Sequence, residues 1–310
     1  MNDKPALFKL SKQKPLYQMV VALLVIVGVG MTLSFILIMA GKLVSGNDLS
    51  VLSGSTTALS PKDVAFLRYL LIIQDVSLLL IPSIIILVMM QPEPHSGIPE
   101  LRIPKLNEIL LVVILTLCLI PVTSFTGEIN LGMHLPYWLS GVEQWMEQKE
   151  ETADNLIESL ADSHTWKLML LNLFSIALIP AIAEEFIFRG VFQNIFIKLF
   201  RSPHTAIWVT AFIFSAIHFQ FFGFIPRFIL GLTFGYLYFW SGTLWLPVTA
   251  HFVNNAFPVI IAFQHGLQSM NTPSGIPLWK QAIAMPVPVI IIMVILSWFR
   301  DRRRRSVITV

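Results

Sequence analysis

Long apolar runs recur along the chain, broken by short polar stretches and by one longer acidic segment. A membrane-spanning helix needs roughly 20 apolar residues to cross about 30 Å of hydrocarbon. Eight runs are candidates, at about 17–40, 66–90, 106–125, 167–200, 206–219, 221–240, 243–263 and 283–299. The first follows Lys4, Lys9, Lys12 and Lys14 and resembles a signal peptide. Its apolar stretch exceeds the roughly 7 to 15 residues of a signal core, so it reads as a retained anchor. The 167–200 run is overlong and contains Pro180, the 66–90 run carries Asp75 and Pro82, and the 206–219 run is short for a span.

Residues 127–166 break the pattern, with eight acids against the single base Lys149. The apolar spacing of Trp138, Val142, Trp145 and Met146, then Leu156, Ile157 and Leu160, predicts one or two amphipathic helices lying over the membrane domain as an acidic cap. The expected organisation is therefore a basic N-terminus (1–16), three helices (17–126), the acidic extramembrane segment (127–166), a four-helix core (167–263), a loop and last helix (264–299) and a basic tail (300–310). The expected fold class is an all-α polytopic membrane protein.

Composition and charge sharpen this. The 310 residues are 55% hydrophobic and only 13% charged, with a mean hydropathy of +0.73. Charged residues supply about a quarter of a soluble domain, which excludes a soluble enzyme, a disordered chain and an ordinary nucleic-acid binder. Eight spans put both termini on one side; with that side inside, 13 bases fall inside and six outside. The positive-inside bias supports cytoplasmic ends. Cys118, the single cysteine, reads as a small packed hydrophobe.

Ionisable groups within membrane helices are expensive and mark functional sites by default. Glu185 and Arg189 are four apart and share a helical face, a spacing that predicts an ion pair. Glu184 points about 100° away with no partner on its own helix, which suits it to accept a proton. His218 follows on the fifth run, and His251 and Asn255 share a face of the seventh. A carboxylate, two imidazoles and a carboxamide form a hydrolase inventory, with Glu184 activating water and one of the two histidines and Asn255 donating to an oxyanion. Glu184, His218 and His251 equally suit a zinc site with one position left for water. Arg227, in the sixth run, reads as a residue that snorkels, pairs with an acid or holds a substrate carboxylate.

The motifs Glu184-Glu185-x-x-x-Arg189, Phe214-x-x-x-His218 and His251-x-x-x-Asn255, in that order on successive apolar segments, resemble those of the CAAX prenyl endopeptidase and bacteriocin-processing (CPBP, or Abi) intramembrane proteases. The resemblance covers about residues 167–260. It implies eight membrane helices, Glu184 and His218 as the water-activating pair, His251 and Asn255 as transition-state stabilisers, and Glu185 with Arg189 in support. It leaves a metal-dependent and a metal-free glutamate mechanism both open, and it implies a membrane-associated peptide or protein substrate in the bilayer, with no nucleic acid. The lysine-bearing N-terminus has no transit signature and reads as that of a bacterial cytoplasmic-membrane protein, for which peptide or bacteriocin maturation or immunity is the expected role. The rival reading is a transporter or scaffold whose buried Glu and His relay protons or bind an ion.

Overall fold

The computed structural model describes residues 10–46, 60–91, 101–161, 165–266 and 275–308. Lys4, Lys9, Asp162 and the loop at 267–274 lie outside the described residues. Among the described residues every regular element is helical, and the protein is an all-α polytopic membrane protein. In chain order the helices are α1 (Pro15–Ser45), α2 (Pro61–Met89), α3 (Leu106–Leu131), α4 (Ser140–Ala161), α5 (Trp166–Phe200), α6 (Pro203–Ala216), α7 (Phe224–Ser241), α8 (Trp245–His265), α9 (Leu278–Ala284) and α10 (Pro286–Ile308).

Six helices are long and apolar enough to cross a bilayer: α1, α2, α3, α5, α8 and the continuous Leu278–Arg305 stretch. The other two of the eight expected spans do not meet that length and composition. Helix α6 has 14 residues, about 21 Å at 1.5 Å per residue, and α7 has 18 and carries Arg227 in its first turn. Their boundaries follow from local chemistry: Ser202 caps the start of α6 by accepting from the Thr205 N–H, and Gly242, in the left-handed region at φ 69°, ends α7.

Large apolar side chains stand exposed on α1 (Leu24, Val27, Phe35) and on α10 (Val287, Ile290, Met293, Val294). In water such rows would be a liability; in hydrocarbon, where only backbone-satisfied helices survive, they are the required surface. Burial rises inward. In the most apolar window of α5, 33% is buried, and in that of α8 44%, against 17–28% in the other four spans. These two central helices carry most of the motif residues.

Helix α5 is not a regular α-helix. A π-helical turn at Leu173–Leu178 precedes Pro180, and a second runs over Phe186–Gln193. A proline cannot donate to the carbonyl four residues back, and widening the preceding turn accommodates the lost bond. Helix α2 repeats the device, with a π turn at Asp75–Leu80 ahead of Pro82.

Helices α6 and α7 meet through small residues. A Cβ on Gly231 would lie 3.0 Å from Ala211 Cβ, and one on Gly235 would lie 2.8 Å from Ile207 Cγ2. The close approach that glycine permits also bares two α7 carbonyls to α5: Arg189 Nη2 donates to Gly231 O at 3.2 Å and Gln193 Nε2 to Gly235 O at 3.1 Å. Of the acidic segment, residues 127–131 complete α3 and Ser140–Ala161 form α4. Helix α4 is tied down where the buried Arg68 of α2 donates to Leu160 O at 3.3 Å and to Asn172 Oδ1 of α5 at 2.7 Å. Arg68, one of the six bases assigned to the outer side from sequence, is buried at 5% exposure.

Candidate active site

The site is built around Glu185. Its Oε1 accepts from Arg189 Nη1 at 2.8 Å, the pair expected from the four-residue spacing, and also from His251 Nδ1 at 2.9 Å. Glu185 and Arg189 are fully buried. The Arg189 guanidinium lies over the rings of Phe214 (4.7 Å) and Phe234 (5.6 Å), so α6 and α7 wall it in with aromatic faces. A buried ion pair repays its desolvation only when its remaining groups are also satisfied; here the Gly231 carbonyl and two π faces meet part of that demand, while Glu185 Oε2 and Arg189 Nε are buried without a hydrogen-bond partner.

The Glu185 contact fixes the chemistry of His251. A carboxylate only accepts, so Nδ1 carries a proton and Nε2 faces the other way. Glu184 Oε2 lies 3.8 Å from that Nε2. The imidazole therefore stands between the two adjacent carboxylates, bonded to one and opposite the other. Nε2 presents a proton only in the imidazolium form. Glu184 is the less enclosed acid, its side chain 17% exposed against 0% for Glu185.

His218 does not sit within its helix. Helix α6 ends at Ala216, and His218 occupies the turn beyond, its Nδ1 donating to Phe214 O at 2.7 Å. That carbonyl is one of the last in the helix, which have no backbone donor of their own, so the side chain caps the helix and, in the neutral imidazole, Nε2 is the unprotonated nitrogen. The next residue, Phe219, has φ 53°, a conformation that costs a bulky residue roughly 1–2 kcal/mol. Trp145 of α4 packs edge-on against its ring, centroids 6.4 Å apart. His218 lies within electrostatic reach of Glu184, His251 and Arg227. Asn255 follows His251 by one turn of α8; its Oδ1 accepts from Asn254 Nδ2 at 3.2 Å, which leaves its own amide N–H groups to donate elsewhere.

Two features were not foreseen. Asp75, in the π turn of α2, lies within electrostatic reach of both Glu184 and His251, a third carboxylate beside the pair. Only its position inside an apolar run signalled it. The second is the link from the site to the acidic helix. Arg227 donates to Gln220 O at 2.9 Å and to Gln220 Oε1, and it interacts electrostatically with Glu150, Asp154 and Glu184. Glu150 Oε2 accepts from the Phe222 N–H at 3.3 Å. Burial against this turn pushes the Glu150 carboxyl above its ordinary range, with Arg227 pulling part of the way back. Burial, reinforced by Glu158, raises Asp154 likewise. Arg227 is thus held directly by Gln220, with the acids Glu150, Asp154 and Glu184 within electrostatic reach.

The zinc alternative needs three donors converging on one point. Among the described residues no three His, Cys, Asp or Glu side chains are so arranged. Glu184, His218 and His251 do not fit a metal ligand set in this geometry, and no step is derived through one.

Residues 165–257 match the family described as type II CAAX prenyl endopeptidase Rce1-like. An uncharacterised protein of Bacillus subtilis (strain 168), YpbD, is 34% identical over 99 residues, 30% of this chain and 48% of that protein. The chain thus spans about half the length of this relative. No solved structure matches. The similarity to that family lies in residues 165–257, and Glu184, Glu185, Arg189, His218, His251 and Asn255 all fall within the matched stretch.

Proposed function

We propose that this protein is an intramembrane endopeptidase that hydrolyses a peptide bond of a membrane-associated substrate with water activated at Glu184. The observation that carries the reading is the His251 imidazole held by Glu185 on one nitrogen and set opposite Glu184 on the other. Water bound between Glu184 and the unprotonated Nε2 of His218 would lose a proton to the carboxylate. The resulting hydroxide attacks the carbonyl. The oxyanion is met by the Asn255 amide and by His251 Nε2–H in its imidazolium form, for which Glu185 is the counter-ion. Glu184 then returns its proton to the leaving amine, and atoms and charge balance without a covalent intermediate.

The similarity to CAAX prenyl endopeptidases supports this class of reaction. Its substrate here is a peptide or protein delivered through the bilayer, and peptide maturation or immunity in a bacterial cytoplasmic membrane is the setting the sequence favours.

Purified wild-type protein and Glu184→Ala are compared on a panel of quenched lipidated peptides, with and without chelator. Wild type should cleave at least one member and the variant none. Full activity in the variant overturns the mechanism. Loss of wild-type activity with chelator, restored by added metal, would overturn the metal-free route. Proton flux in reconstituted vesicles without any cleavage would favour the transport reading instead.

A further inference from the structure

A cavity of about 820 Å³ opens away from the acid–histidine cluster, between the last turns of α7, the start of α6 and α10. This size suits a small-molecule or lipid site, since ligand pockets run from roughly 300 to 1,000 Å³. Its lining divides in two. One wall is apolar and aromatic, with Phe239, Trp240, Met293 and Leu296; the rim carries Arg300, Arg303 and Arg304, and no carboxylate lines it. The neighbouring, smaller cavity differs: Arg102 and Arg302 there are both paired with Glu108. On the rim of the larger cavity Arg300 Nε is paired with its exposed neighbour Asp301 at 3.2 Å, an acid that does not line the cavity.

The geometry points to the larger cavity as a binding site for an anionic phospholipid, with its phosphate at the arginine rim and an acyl chain along the aromatic wall. Met293 belongs both to this wall and to the exposed apolar row of α10 that faces hydrocarbon, so the pocket is continuous with the bilayer. A free anion would use the rim and leave the apolar wall wet. A zwitterionic lipid would use the wall and bring its cationic group to a rim of three arginines. Anionic lipid satisfies both, as basic pockets between membrane helices generally do. The frame is rigid. Arg303 stacks on Phe239 at 4.1 Å, Tyr236 stacks on Trp240 with centroids 4.8 Å apart, and the Tyr236 hydroxyl is fixed by Trp208 Nε1 at 3.3 Å and paired with His204 Nδ1 at 3.0 Å.

The test is native mass spectrometry of the delipidated full chain titrated with dioleoylphosphatidylglycerol or dioleoylphosphatidylcholine, with inorganic phosphate as a third arm. One phosphatidylglycerol should be retained at least tenfold more tightly than phosphatidylcholine, and millimolar phosphate should not displace it. Arg300→Gln with Arg304→Gln should lower that retention about tenfold or more, on the scale expected for two basic groups near a membrane surface, while the Lys–Lys counterpart keeps it. Ser297→Leu, which fills the cavity and leaves every charge in place, should lower it too. Equal retention of the two lipids, displacement by phosphate, or retention untouched by Ser297→Leu would each overturn the proposal; the last serves even where the glutamine pair fails to fold.

Discussion

The two halves of the acid–histidine cluster are built on opposite principles. On one side Glu185, Arg189, the Nδ1 edge of His251 and the Gly231 carbonyl close on one another, buried between two phenylalanines. On the other, Glu184 Oε2 faces His251 Nε2 at 3.8 Å, longer than a hydrogen bond, and lies within electrostatic reach of His218, while Asn255 sits one helical turn beyond His251. The first half is bonded within itself and the second is not, although one residue number separates their acids. A polar group intended for substrate must be left hungry, and in a membrane interior that is tolerable only if something rigid holds it in place. Helix α5 divides the two tasks between consecutive positions.

The sharpest way to break this comparison is to make the same change on both sides. Glu184→Gln should lower peptide cleavage by about 10²- to 10⁴-fold, the usual worth of a general base, and leave the thermal midpoint within a degree or two. Glu185→Gln should instead unsettle the fold. Stranding Arg189 without its counter-charge costs about 3–5 kcal/mol, read as a lowered unfolding midpoint in detergent, with activity lost only as a by-product. If the two variants exchanged these signatures, the division of labour would be wrong. Asn255→Ala comes next, with kcat reduced about 10²- to 10³-fold, as for removal of an oxyanion donor, and KM nearly unchanged. Gly231→Ala should cost about 1–3 kcal/mol through the clash with Ala211, measured by the same unfolding midpoint.

The smallest effect concerns pH and α4. Burial raises the Glu150 and Asp154 carboxyls when the helix is docked. A raised carboxyl favours the docked state below its ordinary range, and that contribution fades as pH rises through the raised value. Amide hydrogen exchange in Ser140–Ala161, corrected for its intrinsic pH dependence, should therefore be slowest in mild acid and speed up towards neutrality. A pH-independent profile would show that Arg227 offsets the burial completely.

Much of this could be read from the residues alone, and the reasons for the remainder are physical. The Glu185–Arg189 pair follows from helical spacing, which is local. The second partner of Glu185, His251, is 66 positions away, and no periodicity reports such a contact. Asp75 was visible only as a charge in an apolar run, because its neighbours lie on helices more than 100 residues later. His218 was placed inside a span because hydropathy does not register a helix end; the side chain itself supplies the cap that stops α6. Helices α6 and α7 were both counted as spans, α6 as a short one, and their glycine-mediated contact lets these shorter elements pack against α5. The π turns were anticipated only as a break at Pro180, since sequence shows that a hydrogen bond is missing but not how the chain absorbs the loss.

Those π turns have a consequence for phase. A π turn holds one residue more than the α-helical turn it replaces, and one residue is worth about 100° of rotation. The turn at Leu173–Leu178 therefore acts as a spacer that sets the azimuth of everything after it. The membrane-facing stripe of Trp166–Asn172 and the inward-facing acids at 184 and 185 belong to one helix but not to one continuous helical lattice. Pro180, usually regarded as a flaw in a span, is here the pin that keeps the two lattices out of register and both carboxylates aimed inward.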